Sequence, residues 1–159
     1  MNTTQMSQND QNQSDQEFIQ TGVLVVNLGT PDAPTTSAVR KYLKEFLSDP
    51  RVIDIPAPIR WMLLNLIILP LRSPKSAKAY QKVWREDGSP LLVYGQSLTD
   101  QLAKQLAPWP VKLAMRYGNP SITSGLDELH LAGCDRIIIF PLYPQYASST
   151  TGSTLEAVY

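Results

Sequence analysis

The run Gly22-Val23-Leu24-Val25-Val26-Asn27-Leu28 decides the fold, because it consists almost entirely of aliphatic and β-branched residues. It lacks the alternating polar residues of a half-exposed strand, so it is typical of a strand buried on both faces of a parallel sheet. Residues 111–117 and 136–141 predict two further strands, the latter also buried. Segments with helical spacing separate the three runs, and this alternation predicts an α/β fold with a parallel sheet flanked by helices.

Helix signals lie between these strands. Apolar residues at helical spacing predict helices over residues 37–47 and 58–69. Ser-Pro pairs at 73–74 and 89–90 predict two more helix starts, because Ser is favoured as N-cap and Pro as the first helical residue. Asn119-Pro120 predicts the start of another helix.

The two ends of the chain differ from its middle. Residues 1–20 are rich in Asn, Gln, Ser and Asp and contain no Lys or Arg, so we expect a disordered polar tail. Residues 21–159 form the single predicted domain. Residues 154–159 begin a helix of under two turns, which is a poor end for a domain, so we interpret the chain as truncated there.

Composition excludes some classes of function. The formal net charge is zero, which gives no bulk electrostatic reason for a nucleic-acid partner. Cys134 is the single cysteine and fits a reducing compartment, so we expect a cytoplasmic protein. The apolar run from Trp61 to Leu69 is about half of the roughly 20 residues that a membrane span needs. It predicts a buried core helix, or a helix that contacts a membrane surface or a large flat ligand.

Ligands of open parallel sheets bind beyond the carboxyl ends of the strands. Arg116 lies at the end of one such strand and predicts either a structural ion pair at the sheet rim or a fixed fork for an anion or a catalytic group. Tyr143 and Tyr146 follow another strand and suit an extended aromatic ligand. The Ser and Thr residues of 148–153 predict capping of the last helix, with an anion site as the alternative.

Other kinds of site find little support in the sequence. Gly29-Thr30-Pro31 lacks the spaced glycines of a dinucleotide-binding loop, so a flavodoxin-like nucleotide-binding lobe is a weak alternative. His130, the single histidine, lies near a predicted helix end, where a cation complements the helix dipole. With one histidine and one cysteine, no closed metal site is expected.

Taken in chain order, the segments resemble the ferrochelatase family. The resemblance extends over residues 22–159 and is most specific in its last motif. The motifs are Val26-Asn27-Leu28-Gly29-Thr30-Pro31, Phe46-Leu47-Ser48-Asp49-Pro50-Arg51-Val52-Ile53, Gly88-Ser89-Pro90-Leu91, Arg116-Tyr117-Gly118-Asn119-Pro120, and Pro141-Leu142-Tyr143-Pro144-Gln145-Tyr146 followed by Ser149-Thr150-Thr151-Gly152-Ser153.

The resemblance implies a fold of two Rossmann-like lobes with a porphyrin between them, of which this chain is the first. It implies a lyase of haem biosynthesis that inserts ferrous iron into protoporphyrin IX or coproporphyrin III. Iron and porphyrin are then substrates, and no resident cofactor is expected in this lobe. Ala147 and Ser148 stand where some members carry an iron–sulfur cluster cysteine, so no cluster ligand is expected.

The resemblance also assigns residues. It implies that Leu28 lies against the macrocycle, and that Arg72, Tyr80 and Ser89 engage the propionates. Arg116 and Tyr143 match positions on the metal-insertion side and are the candidate catalytic residues. The apolar helix from Trp61 to Leu69 would form a pocket lip that contacts a membrane peripherally.

The family's proton-accepting histidine and its carboxylates belong to the second lobe, and His130 does not match that histidine. We therefore expect this chain to be inactive without the missing C-terminal lobe. The alternatives are a lobe that binds porphyrin or haem without catalysis, and a related cobalt chelatase.

Overall fold

The structure is a computed structural model that describes residues 19–159. Three strands form one parallel sheet in the order β2-β1-β3. They are β1 (Thr21–Thr30), β2 (Val111–Gly118) and β3 (Arg136–Pro141). The predicted α/β fold, a parallel sheet flanked by helices, is therefore confirmed. The predicted tail over residues 1–20 lies outside the described residues as far as residue 18.

Helical segments make up most of the remaining chain. They are α1 (Thr36–Ser48), α2 (Ala57–Leu63), a π-helical turn (Leu64–Ile68), α3 (Leu69–Val83), α4 (Pro90–Gln105), α5 (Ile122–Leu131), a second π-helical turn (Ser148–Gly152) and α6 (Ser153–Val158).

Side chains alternate along β1 and therefore pack into two separate hydrophobic cores. Leu24 and Val26 point to one face, where they pack with Ala114 and with Leu129 of α5. The opposite face, which begins with Val23 and Val25, packs against Leu113 and Met115 of β2, against Leu102 of α4 and against Leu106 directly after α4. Both faces of β1 are therefore buried, as its unbroken apolar sequence predicts.

The prediction that β3 is a buried strand is wrong. β3 lies at one edge of the sheet, and its exposure alternates, with Ile138 41% and Phe140 49% exposed. The run 136–141 resembles a central strand because its apolar composition shows only that these side chains avoid water. Composition does not show which surface covers them. In the described residues, these two side chains are covered only in part.

The predicted helix start at Ser73-Pro74 is also wrong. α3 begins at Leu69, and Pro74 lies inside it. Leu69, Ser73 and Ala77 are buried at intervals of four residues, so one face of α3 packs on α1, and tertiary packing overrides the local helix-stop signal of proline.

Two other predicted helix starts have different outcomes. α4 begins at Pro90, as Ser89-Pro90 predicts. α5 is capped by Ser121, whose hydroxyl accepts a hydrogen bond from the backbone of Ser124 at 3.1 Å, so the capping role predicted for Asn119-Pro120 is wrong. Ser121 is the residue directly before the first helical residue, where a hydroxyl reaches the free backbone N–H groups of the first turn. Asn119-Pro120 lies before that position.

The apolar segment around residues 61–69 is not a core helix. Leu64 and Leu69 are buried, but Trp61 and Leu66 are more than 60% exposed. The interpretation as buried core therefore fails for most of this segment, because only the side facing α1 and α3 finds a partner in the described residues. Within residues 19–159, no helix has the length and apolar character needed to cross a bilayer.

Candidate functional site

Strand register brings three predicted site residues to one edge of the sheet. Asn27 pairs with Met115 and Gly29 pairs with Tyr117, so Leu28 lies opposite Arg116. Beyond β3, the backbone N–H of Leu142 donates to the carbonyl of Val26 at 2.8 Å, which holds the loop with Tyr143 beside the same strand end. Leu28, Arg116 and Tyr143 therefore lie together at the carboxyl ends of neighbouring strands, where ligands of such sheets bind.

Arg116 makes a structural ion pair at this edge. Its Nη2 donates to Asp49 Oδ2 at 2.9 Å, and the two side chains are only 18% and 4% exposed. Its Nε donates to the carbonyl and the hydroxyl of Ser153 at 2.9 and 2.7 Å. The ring of Tyr117 lies 4.5 Å from the guanidinium carbon. The structure therefore shows the structural ion pair at the sheet rim, and the role of the same guanidinium as a fork for an anion or a catalytic group stays a prediction.

Asp49 collects hydrogen bonds on both carboxylate oxygens. Oδ2 also accepts from the Tyr117 hydroxyl at 2.7 Å and from the Ser153 hydroxyl at 2.5 Å, and Oδ1 accepts from the backbone N–H of Arg51 at 2.7 Å. Burial by itself would raise the pKa of Asp49, but these hydrogen bonds and the charge of Arg116 lower it below its ordinary value. The carboxylate is therefore ionised at neutral pH.

Tyr117 is the buried aromatic residue of this network. Its side chain is almost fully buried and its ring packs on Phe46 of α1 with centroids 5.0 Å apart. Burial raises the pKa of Tyr117, so the phenol stays protonated and donates to Asp49. The network thereby joins the end of α1, the end of β2 and the start of α6.

Tyr143 has a hydroxyl that is buried and has no hydrogen-bond partner within residues 19–159. The buried hydroxyl of Thr154 is also unpartnered in this part of the chain. Burial raises the pKa of Tyr143, and the nearby Thr154 hydroxyl and the charge of Arg116 oppose that rise. Two unpaired hydroxyls beside a cation are able to hydrogen-bond a polar group that reaches this edge.

Ser89 belongs to the same end of the sheet but to a different cavity. Its hydroxyl is buried and accepts a hydrogen bond from Thr30 at 2.8 Å, which fixes the start of α4 to the end of β1. Ser89 lines a cavity of about 460 Å³, whereas Arg116 lines a separate one of about 330 Å³. The two residues therefore do not share one of these cavities.

Tyr80 and Arg72 are both on α3 but lie in different surroundings. Tyr80 packs edge-on against Trp84, with ring centroids 6.2 Å apart. It also lies near Tyr42 of α1, whose pKa is raised by burial and by the neighbouring hydroxyls of Tyr80, Tyr117 and Tyr143. Tyr42 also stacks on Phe46, the ring that packs on Tyr117. Arg72 is exposed and makes no ion pair within residues 19–159.

The remaining sequence signals have mixed outcomes. The stretch 148–153 is helical itself, and its capping contact is made by the Thr150 hydroxyl, which accepts from the backbone N–H of Ala147 at 3.1 Å. Tyr146 is 72% exposed, and its hydroxyl lies near Gly152, the residue before Ser153. His130 is exposed in the last turn of α5, and Cys134 packs in the core. Within residues 19–159, no three His, Cys, Asp or Glu side chains are grouped to hold a metal ion.

The sequence matches the family model described as Ferrochelatase over residues 20–159, which is almost the whole of the described chain. This chain belongs to the ferrochelatase family. Among its curated relatives is a ferrochelatase of Thioalkalivibrio sulfidiphilus, 58% identical over 142 residues, which are 86% of this chain and 38% of the relative.

Two further relatives have the same relation to this chain. A ferrochelatase of Methylococcus capsulatus is 56% identical over 138 residues, covering 87% of this chain and 42% of the relative. One of Coxiella burnetii is 53% identical over 138 residues, covering 86% and 39%. The chain therefore spans about two fifths of the length of the curated ferrochelatases that it matches.

Several residues of the network escaped sequence reasoning. Ser48-Asp49-Pro50 predicts only a helix stop, and Asp49 is indeed the residue after α1. Its second role depends on Arg116 and Ser153, which are 67 and 104 residues away in sequence. The signal that was available is the buried-strand arginine itself, because a guanidinium at a sheet rim requires a carboxylate from another segment.

Proposed function

We propose that the protein containing this chain is a ferrochelatase that inserts ferrous iron into protoporphyrin IX or coproporphyrin III, and that this chain forms one wall of the porphyrin site. The observation that carries the proposal is the convergence of Leu28, Arg116 and Tyr143 at the carboxyl edge of the sheet. An apolar side chain beside a fixed cation and buried hydroxyls suits a large ligand that is apolar in its plane and polar at its centre and rim.

The propionate groups of the porphyrin would bind to the cationic and hydroxyl groups on the α3 and α4 side. Arg72 is exposed and free of ion pairs within the described residues, and Ser89 lines a cavity with its neighbours. A carboxylate is bound most strongly by a guanidinium and hydroxyl donors. Tyr80 lies on the same helix as Arg72, so the three residues are proposed as the propionate-binding set.

Iron insertion requires an acceptor for the two pyrrole protons. Arg116 cannot serve, since a guanidinium stays protonated in proteins. Tyr143 also keeps its proton, because burial raises the pKa of its phenol. We therefore propose that Arg116 and Tyr143 orient the macrocycle and shape the field around its centre, while the histidine and carboxylates expected in the second lobe accept the protons.

The topology supports further chain after α6, beginning with another strand of this sheet. α5 packs on the face of β1 that carries Leu24, and α6 packs on the same face through Val158. A right-handed crossover through α6 would place the next parallel strand beside the open edge of β3. The greater length of the curated ferrochelatases supports the same proposal, in which the missing C-terminal lobe is the main partner of this chain.

A second proposed contact is peripheral and involves a membrane. Trp61, Met62, Leu66, Ile67 and Leu71 are each more than half exposed on consecutive helical turns. Exposed apolar groups of this size that are close together mark interaction surfaces. We propose that this surface rests on the cytoplasmic face of a membrane, and the single, buried Cys134 fits that reducing compartment.

A titration with protoporphyrin IX, followed by absorbance and by fluorescence, tests the proposal on this chain. We expect saturable binding that weakens at least about tenfold in Arg116→Ala, because a hydrogen bond to a charged group is worth roughly 1.5–3 kcal/mol. Arg136→Ala is the matched control, since Arg136 is an exposed arginine at the opposite end of β3.

Ferrous iron is then added anaerobically to the porphyrin complex. We expect no protein-dependent insertion by this chain and insertion by the full-length protein. Insertion by this chain would contradict the proposed need for the second lobe. Saturable binding without insertion in the full-length protein would instead favour a porphyrin-binding lobe without catalysis.

A further inference from the structure

Asp49, to which the family resemblance gives no role, lies directly behind Arg116. The sequence marks it only as the end of α1, yet its side chain is 4% exposed. One oxygen, Oδ2, accepts from Arg116 Nη2, the Tyr117 hydroxyl and the Ser153 hydroxyl at 2.9, 2.7 and 2.5 Å. A carboxylate with three donors on one oxygen is fixed in position, so it also fixes the groups that donate to it.

The guanidinium of Arg116 is held on two of its sides. Asp49 holds Nη2, and Ser153 accepts twice from Nε, while the Tyr117 ring lies under the plane. No hydrogen bond from Nη1 to a side chain or loop carbonyl is present in the part of the chain that the structure describes. Arg116 therefore presents one free edge, and the position of that edge depends on Asp49.

We propose that Asp49 is a positioning residue of the porphyrin site, which sets the location and direction of the Arg116 guanidinium beside Leu28 and Tyr143. The inference rests on the proposed function of this edge. Without the carboxylate, Arg116 would be a buried cation with no counter-charge, and it would turn toward solvent to recover its hydration. Ser153 has a supporting part, because it bonds both partners of the ion pair.

A double-mutant cycle separates positioning from simple support of the fold. Protoporphyrin IX affinity is measured for Asp49→Asn, Arg116→Ala and the double variant, with thermal unfolding recorded for each. We expect Asp49→Asn to weaken binding about tenfold and the double variant to bind no more weakly than Arg116→Ala. Additive losses in the double variant would overturn the proposal, because Asp49 would then act independently of Arg116.

Two further variants distinguish the expected loss of porphyrin affinity from a general loss of folding. Asp127→Asn removes an exposed carboxylate on α5 and should leave the affinity unchanged. Ser153→Ala keeps the ion pair but removes one hydroxyl from it, so we expect a smaller loss, about threefold. An affinity loss with Asp127→Asn equal to that with Asp49→Asn would overturn the proposal.

Hydrogen exchange of the Arg116 Nε–H, followed by NMR without porphyrin, tests the positioning separately from the proposed function. We expect exchange in Asp49→Asn to be at least about tenfold faster than in the wild type and in Asp127→Asn. Unchanged exchange would overturn the positioning role whatever the porphyrin result. Faster exchange in Asp49→Asn, found together with a wild-type chain that binds no porphyrin, would support the positioning and would contradict only the proposed function.

Discussion

The carboxyl edge around Arg116 and the apolar surface formed by Trp61, Met62, Leu66, Ile67 and Leu71 satisfy their side chains in opposite ways. At the edge, a buried carboxylate, a guanidinium and two hydroxyls bond one another within the described chain. On the apolar surface, large side chains remain more than half exposed. The polar side chains of the edge are therefore paired with one another, whereas the apolar surface requires a partner to cover it. Substitutions should lower stability at the edge and lower binding at the surface.

The largest effect is expected at Gly29, beside the edge. Its φ is +114°, and a Cβ there would lie 1.8 Å from the Tyr117 carbonyl oxygen of the paired strand. We expect Gly29→Ala to lower the free energy of unfolding by more than about 4 kcal/mol, because backbone rather than a flexible side chain must move. Urea denaturation measures it.

Gly88→Ala is the matched control for Gly29→Ala. Gly88 has a similar φ of +119°, but nothing lies within 4 Å of its added Cβ. Only the conformational strain of about 1–2 kcal/mol then remains. Equal losses for the two variants would mean that the close approach of β1 and β2 at the edge does not limit stability.

The next largest effect is expected from Asp49→Ala. It leaves Arg116 as a buried cation without its partner, and breaking a buried pair in this way costs about 3–5 kcal/mol. The control is Lys112→Ala, which removes one partner of the exposed pair with Glu128 and should cost less than about 1 kcal/mol. Similar losses in denaturant unfolding would show that the edge network is no more tightly coupled than a surface pair.

The edge around Arg116 and the apolar surface also differ in how much of each the sequence predicts. The strands and the place of Arg116 follow from apolar periodicity and from the rule that ligands bind at strand ends. Asp49 does not, because its partners come from segments far away in sequence. The exposure of Phe140 was not predicted, and that of Leu66 was only one of two alternatives, since an apolar residue reads the same whether it is covered by its own lobe or by another surface.

Acid should weaken the edge specifically. Hydrogen bonds and Arg116 lower the pKa of Asp49 in the folded chain in spite of its burial, so the carboxylate stabilises the fold above its unfolded pKa of about 3.9. That stability is lost as the pH falls below about 4 toward the folded pKa. We expect the free energy of unfolding between pH 6 and pH 3 to fall less steeply in Asp49→Asn than in the wild type. Parallel curves would contradict the ionic role of Asp49.

The smallest effect on stability is expected on the apolar surface. Leu66 is 64% exposed, so Leu66→Ser should change the free energy of unfolding by no more than about 0.5 kcal/mol. The same variant should bind clearly less to vesicles of phosphatidylcholine and phosphatidylglycerol in a co-sedimentation assay, because it removes apolar area from the proposed membrane contact.

Leu131→Ser is the matched control for the apolar surface. Leu131 is 86% exposed at the end of α5, so it has more apolar area in water than Leu66 but lies on a different helix from the apolar surface. If vesicle binding depends on the surface as a unit, Leu131→Ser should bind like the wild type. Equal losses of vesicle binding for both leucines would mean that binding follows the total exposed apolar area. The segment around Leu66 would then not be a specific membrane contact.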